Sequence, residues 1–154
     1  MRAASIFYRG MFDTQKFSIS SKHVLNISDL QNDSNFHQML KAELLPHDQL
    51  ISEITVKSQL YKNGDLIVVE VEDIDTLKVG IIITIVVRKS DVFFACKLFS
   101  CSRNFLQYFE SRRCSSHLSF VNSDDLADFK TLVMRGTVEK FSFVLHHGLS
   151  ANFA

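Results

Sequence analysis

The chain has 154 residues, with no Trp, one Pro, five Gly and three Cys; its 17 Lys and Arg are balanced by 17 Asp and Glu. Each shortage excludes something. Five isolated glycines supply no Gly-rich loop to cradle phosphates, and no P-loop, dinucleotide turn or G-x-S-x-G elbow is present. Zero net charge removes a whole-molecule attraction for nucleic acid or an anionic membrane. An odd cysteine count, with no apolar secretory stretch over residues 1–17, predicts reduced thiols and an intracellular chain, nuclear or cytoplasmic. In that compartment the sequons at Asn26 and Asn32 are chance matches. The longest uncharged apolar run, Val79 to Val87, is far shorter than the roughly 20 residues a membrane-spanning helix needs, so no membrane partner is expected.

What is present is a core. Apolar residues make up 46% of the chain, and 14 of them are Phe, enough for one ordinary globular domain. Residues 1–45 are rich in Ser, Asn, Asp and Gln and read as a partly ordered arm or linker. Phe7, Phe12 and Phe17 recur every five residues, which matches neither the helical nor the strand period. One helix is predicted there: Ser28 caps a segment from Asp29, Leu30, Phe36, Met39, Leu40 and Leu44 form its stripe, and Pro46 stops it.

Residues 46–149 read as a β module, followed by a tail at 150–154. Gln49 to Tyr61 has Ile54, Val56 and Leu60 on one parity and is expected to be one strand. Asn63-Gly64 is a turn pair. In the next strand Ile67, Val69 and Val71 face one way, with Leu66, Val68, Glu70 and Glu72 on a face that becomes wet. After DIDTL, Lys78 to Lys89 is apolar on both faces and therefore central. Val79, Ile81, Ile83, Ile85 and Val87 share one face, and a bend or bulge is expected at Gly80. Ser90-Asp91 turns the chain into VFFACKLFSC. Phe105 to Arg113 and Leu118 to Val121 are expected as two further strands. A helical turn follows, capped by Asn122 or Ser123 with Asp124 and Asp125 at its positive end, and Thr137 to His147 is the closing strand. The fold class is mainly β, a small, strongly curved antiparallel β-barrel with an N-terminal arm carrying at most one helix.

The run LYKNGDLIVVEVED, LKVGIIITIVVRKSDVFFACKLF, LSFVNSDDLADF and VEKFSFVLHHGLS resembles a C-terminal β domain of uncharacterised animal proteins often associated with transposable elements. The matching positions are Gly64-Asp65, Gly80, Ile82, Ile85, Val92, Phe94, Leu126, Asp128, Val144, Leu145 and His147. The first half is also similar, more loosely, to bromo-adjacent-homology and Tudor-like barrels, where a Gly-Asp turn opens the barrel. The resemblance covers roughly residues 43–149 and implies a Tudor- or BAH-like barrel. Some of those animal proteins carry zinc fingers upstream; this chain has none, so DNA binding of that kind does not follow.

Several constellations invite chemistry. Cys96, Cys101, Cys114 and His117 are spaced C-x4-C-x12-C-x2-H. Zinc needs such donors in close chelating pairs, yet Cys96 and Cys101 fall on opposite parities of an extended strand, so buried thiols are the default and a zinc-stabilised domain an alternative. His146 and His147 are strand neighbours facing opposite sides, and the Asp124, Asp125 and Asp128 group is explained by capping. No enzyme and no cofactor are expected. The remaining asymmetry is charge. Arg88, Lys89, Lys97, Arg103, Arg112 and Arg113 face only Asp91 and Glu110 within 88–113, a local excess of +4, interleaved with Phe93, Phe94, Phe99, Tyr108 and Phe109. Cations among aromatics suit single-stranded nucleic acid or an acidic peptide, and Tyr61, Tyr108 and Glu110 are candidates for a methyl-lysine cage. The expectation is a non-catalytic interaction module with a protein or peptide partner, bound at the rim where Arg88–Asp91 meets Arg103–Arg113. Nucleic-acid binding by that face, and a remnant without selected function, are the other readings.

Overall fold

The computed structural model describes residues 17–18, 24–26 and 34–145. Phe7, Phe12, the Ser28 cap, Asn32, His146, His147 and the tail lie outside the described residues. The order is β1 (Phe17–Ser18), β2 (Val24–Leu25), α1 (Ser34–Glu43), β3 (Gln49–Ile51), β4 (Glu53–Val56), β5 (Gln59–Lys62), β6 (Leu66–Asp73), β7 (Thr76–Arg88), β8 (Asp91–Arg103), β9 (Phe109–Asn122), a 3-10 turn (Ser123–Asp125), β10 (Asp128–Leu132), β11 (Arg135–Gly136) and β12 (Phe141–Phe143). The fold is mainly β and antiparallel throughout. No helix of the described residues is long and apolar enough to cross a membrane.

The main sheet runs β10-β6-β7-β8-β9-β12-β11, and β3 joins β7 from the side with β2 beyond it. It is open between β10 and β11 rather than closed into the expected barrel. Its curl still brings both ends to one core: Leu132 of β10 and Phe141 and Phe143 of β12 join Leu66, Val68, Leu77, Val79, Ile81, Phe99, Cys101 and Phe109. Side-chain packing closes what backbone pairing leaves open.

The expected central strand is β7, and it is apolar on both faces because both are covered. Its phase changes midway. Ile82 pairs with Cys96 and Thr84 with Ala95, leaving Ile83 inserted as a bulge. Before it, Leu77, Val79 and Ile81 face the curled core. Beyond it Val86 takes that face under α1, with Leu40, Leu50 and Ala95, while Ile85 and Val87 join Ile82 in the opposite core. The slip therefore lies beyond Gly80, and the uninterrupted alternation from Val79 to Val87 does not hold. Gly80 serves close packing instead: a Cβ there would stand 3.0 Å from Cys96 Cβ and 3.2 Å from its Sγ.

The edge of β7 changes partner at the same place. Its first half pairs with β6 and Ile85 to Val87 pair with β3. The turn at Gly64, whose φ is +95°, fills the gap between them: Gly64 N–H donates to Ile82 C=O at 2.7 Å, and Ile82 N–H donates to Asp65 C=O at 2.9 Å. No polar group of Ile82 is left bare.

Three strand expectations are corrected. Gln49–Tyr61 is three strands, because Lys57 and Ser58 take positive φ (49° and 70°) and reverse the chain between β4 and β5 without a Gly or Asn to signal it. Tyr61 is thereby buried and Leu60 exposed. The two strands expected over 105–121 are instead one long β9, preceded by a loop. Within Thr137–His147 the described residues, up to Leu145, form only β12, since Thr137 and Lys140 exchange backbone hydrogen bonds across a turn. In β6 both faces of the first half are buried, Leu66 and Val68 in one core and Ile67 in the other, and a register shift follows at Val69. Of the two expected caps, Asn122 rather than Ser123 caps the turn at 123–125, its Oδ1 accepting Asp124 N–H at 2.9 Å. The helix is present over Ser34–Glu43, ahead of Pro46. The described parts of residues 1–45 pair with the module: β1 with β4, and β2 with β3.

Gly80→Ala is expected to cost about 1–3 kcal/mol by overpacking against Cys96. Urea denaturation measures this, and an unchanged midpoint would refute the packing role given to Gly80.

Candidate functional site

The six basic residues do not form one face. The β8–β9 register sets Phe93 opposite Asn122 and Arg103 opposite Phe109, so Arg88–Asp91 and Arg103–Arg113 occupy opposite ends of β8. At about 3.3 Å per residue the two groups stand on the order of 30–40 Å apart along the strand, and the expected rim does not exist. Arg88 is a structural residue. Its Nε and Nη2 donate to Asp48 at 2.9 and 2.7 Å, Nη2 reaches Glu43 C=O at 3.3 Å, and the guanidinium lies over Phe93. The bidentate hydrogen bond from Arg88 holds the Asp48 carboxyl below the usual range against its burial. Lys89 sits in the β7–β8 turn with φ +57°. Lys97, mid-strand, lies near the rings of Phe36 and Phe99 at 5.6 and 5.8 Å. Arg112 donates to Ser102 at 2.7 Å and pairs with Glu110 at 3.4 Å, and Arg113 is exposed.

The methyl-lysine cage is not assembled either. Tyr61 is 2% exposed, packed on Phe94 at 4.8 Å between centroids, with its O–H donated to Phe129 C=O. Tyr108 and Glu110 belong to the far end of β8, about nine residues or 30 Å along the strand from Phe94. Burial, and then the charge of Asp128, push the Tyr61 phenol up to about 12.

The zinc candidates stay apart. Cys96 and Cys101 are buried in different cores on opposite faces, while Cys114 and His117 are exposed on β9. Among the described residues no three His, Cys, Asp or Glu side chains gather as a metal site. Burial raises both buried thiols, Cys101 to about 12, which keeps them protonated and poor as ligands or nucleophiles at neutral pH.

The surface that stands out is one the basic pattern does not mark. At the β6–β7 turn Ile74 is 64% exposed, and in the loop between β8 and β9 Phe105 and Leu106 are 89% and 60% exposed. The two loops are neighbours because Arg103 ties them. Its backbone N–H donates to Asp75 C=O at 2.8 Å, Nη2 to Ile74 C=O at 3.0 Å and Nη1 to Gln107 Oε1 at 3.0 Å. The guanidinium stacks 4.8 Å over Phe109, which is itself stacked on Phe143. Nε finds only an electrostatic contact, Asp75 Oδ1 at 3.4 Å, without hydrogen-bond geometry.

The loop is also built from within. Asn104 Oδ1 accepts the N–H groups of Leu106 and Tyr108 at 2.9 and 3.1 Å. Asn104 N–H donates to Tyr108 C=O, Gln107 N–H donates to Asn104 C=O, and Gln107 takes φ +71° to close the turn. Two large apolar side chains are thus held out in water on a braced backbone, the arrangement that binding surfaces use to limit ordering cost. The sequence held a signal for them: apolar residues inside polar turns (DIDT and NFLQ) where no strand face requires them. A concavity of about 340 Å³ lies elsewhere, between Tyr61, Val56, Leu126 and Phe129, with the Lys57–Asp124 ion pair at 3.5 Å among its lining residues.

Comparison with protein-family models, curated proteins and solved structures finds no match to the chain.

Arg103→Ala is expected to speed amide exchange at Leu106 and Tyr108 by roughly tenfold beyond what its loss of global stability explains, a loss of about 1–2 kcal/mol since hydrogen bonds of this kind contribute about 1 kcal/mol each. Arg103→Lys should not restore protection, because an ammonium cannot span both loops; unchanged exchange in Arg103→Ala would refute the brace. For Tyr61, the folded-state pKa exceeds the ordinary value of 10.0. The native state therefore holds the proton longer than the unfolded chain, and this stabilisation is complete below pH 10 and lost as pH rises through about 12. Denaturation across that window should show a steeper alkaline loss in the wild type than in Tyr61→Phe, and identical slopes would contradict it.

Proposed function

We propose that the chain is a non-catalytic interaction module that engages a protein partner through the Ile74, Phe105 and Leu106 end of its sheet. The supporting observation is the braced loop that holds Phe105 almost fully in water. Aromatic and aliphatic anchors on rigid backbone dominate interface energetics, because burying each contributes about 1.5–3 kcal/mol while little backbone freedom remains to be lost. The resemblance to bromo-adjacent-homology and Tudor-like barrels bears on fold rather than on the ligand, and the transposable-element-associated proteins offer an origin for the module. The basic residues favour protein over nucleic acid as the partner. Arg88, Arg103 and Arg112 are committed to Asp48, Asp75 and Glu110, which leaves no continuous stripe of free cations among the described residues of 88–113 for a phosphate backbone.

A photo-reactive amino acid placed at Phe105 in cells is expected to give a discrete crosslinked species that disappears in Leu106→Ser, while the same group at Lys89 gives none. Equal crosslinking from both positions, or none from Phe105, would count against this surface. Both substitutions are at exposed positions and should change stability by less than about 0.5 kcal/mol.

A further inference from the structure

We infer that the partner presents an apolar groove bordered by lysine or arginine on the side that meets the β6–β7 turn. This rests on the reading of the loop end as a contact surface and adds the chemistry of what covers it. Glu72, Asp73 and Asp75 surround Ile74, and all three are exposed. Asp75 shares Arg103. Asp73 accepts Asp75 N–H at 2.8 Å, and among the described residues neither it nor Glu72 has a cation partner. The next cation along the hairpin, Lys78, pairs with Glu70 at 3.5 Å. Glu72 and Asp73 therefore leave one flank of the apolar end with a net negative charge.

The other flank differs. On β9, Glu110 is matched by Arg112, and Arg113 is exposed with no acidic partner among the described residues. The apolar end is thus bordered by carboxylates on one side and by a small cationic excess on the other. Such a dipolar border gives a partner one favourable orientation, since like charges brought together at a desolvating contact are costly. It also selects against other occupants. Phosphate backbones and anionic lipid headgroups would approach Ile74 against Glu72, Asp73 and Asp75. A groove that buries Phe105 and Leu106 and sets a basic residue against Glu72 or Asp73 satisfies both the apolar and the charged elements.

The test is a random-peptide display selection on the intact chain, followed by affinity measurements on Phe105→Ser/Leu106→Ser and on Glu72→Gln/Asp73→Asn. All four positions are exposed, and circular dichroism checks that the variants fold. Selected peptides are expected to combine bulky apolar residues with Lys or Arg, and to lose measurable binding on the first variant. On the second they should weaken by about threefold to tenfold at low salt, and by less at high salt. Peptides that need Phe105 but lack basic residues, and bind the charge-neutralised chain equally well, would overturn the partner chemistry while leaving the contact surface standing. Binders indifferent to Phe105 and Leu106, or no enrichment, would overturn both. Sedimentation with phosphatidylcholine vesicles, with or without phosphatidylserine, that is lost in Phe105→Ser would assign the surface to a bilayer and overturn the protein partner.

Discussion

One inserted residue, Ile83, sets the geometry of the module. A strand places neighbours on opposite faces, so a single extra residue exchanges the faces of everything beyond it. In β7 that exchange lets one strand line the curled core with Leu77, Val79 and Ile81, the helix-covered core with Val86, and the opposite core with Ile82, Ile85 and Val87. The same point is where the edge of β7 passes from β6 to β3. The gap is sealed by the backbone of Gly64 and Asp65, whose bonds to Ile82 satisfy groups that the sheet leaves unpaired. The Asp65 carboxyl lies within this partly buried turn, and burial raises its pKa although it accepts Lys62 N–H.

From that frame the exposed end follows. Phe99, Phe109, Phe141 and Phe143 fill the curl with edge-on and stacked contacts, giving β8 and β9 a stiff base at their shared end. Arg103 grows from this base, with its guanidinium on Phe109 and its donors spent on two loops. Rigidity in the core is thereby passed to Ile74, Phe105 and Leu106 through one side chain. At the opposite end of the β7–β8 hairpin, Arg88 of β7 is spent differently, on Asp48, which ties β7 to the segment entering β3. Two arginines of one sequence cluster thus perform unrelated structural tasks.

Much of the fold was legible in the residues. Apolar residues on both parities from Val79 to Val87 marked a central strand, Asn63-Gly64 marked a turn, and Asn122 was readable as a cap because its side chain sits where a first-turn N–H needs an acceptor. Other features were hidden for physical reasons. Lys57-Ser58 forms a two-residue reversal with residues that rarely take positive φ, and tertiary packing of Tyr61 overrides that preference. Bulges at Ile83 and Val69 leave no compositional trace, since both faces there are apolar. The exposed apolar end is not marked by the basic cluster, because charge density along the chain is not charge density in space.

The amino-acid sequence by itself determined that this is a mainly antiparallel β protein with a two-faced central strand, since alternation and turn chemistry are local properties of the chain. Tertiary structure alone decided the rest. Whether the sheet closes, which face each residue takes beyond a bulge, and which cations are already spent all depend on register between strands far apart in sequence. Cys96 and Cys101 are five positions apart yet buried in separate cores. Ile74 and Phe105, some thirty positions apart, meet at one end because the β7–β8 hairpin folds Thr76 onto Ser102. Local chemistry chooses the strands, and long-range pairing chooses what they bring together.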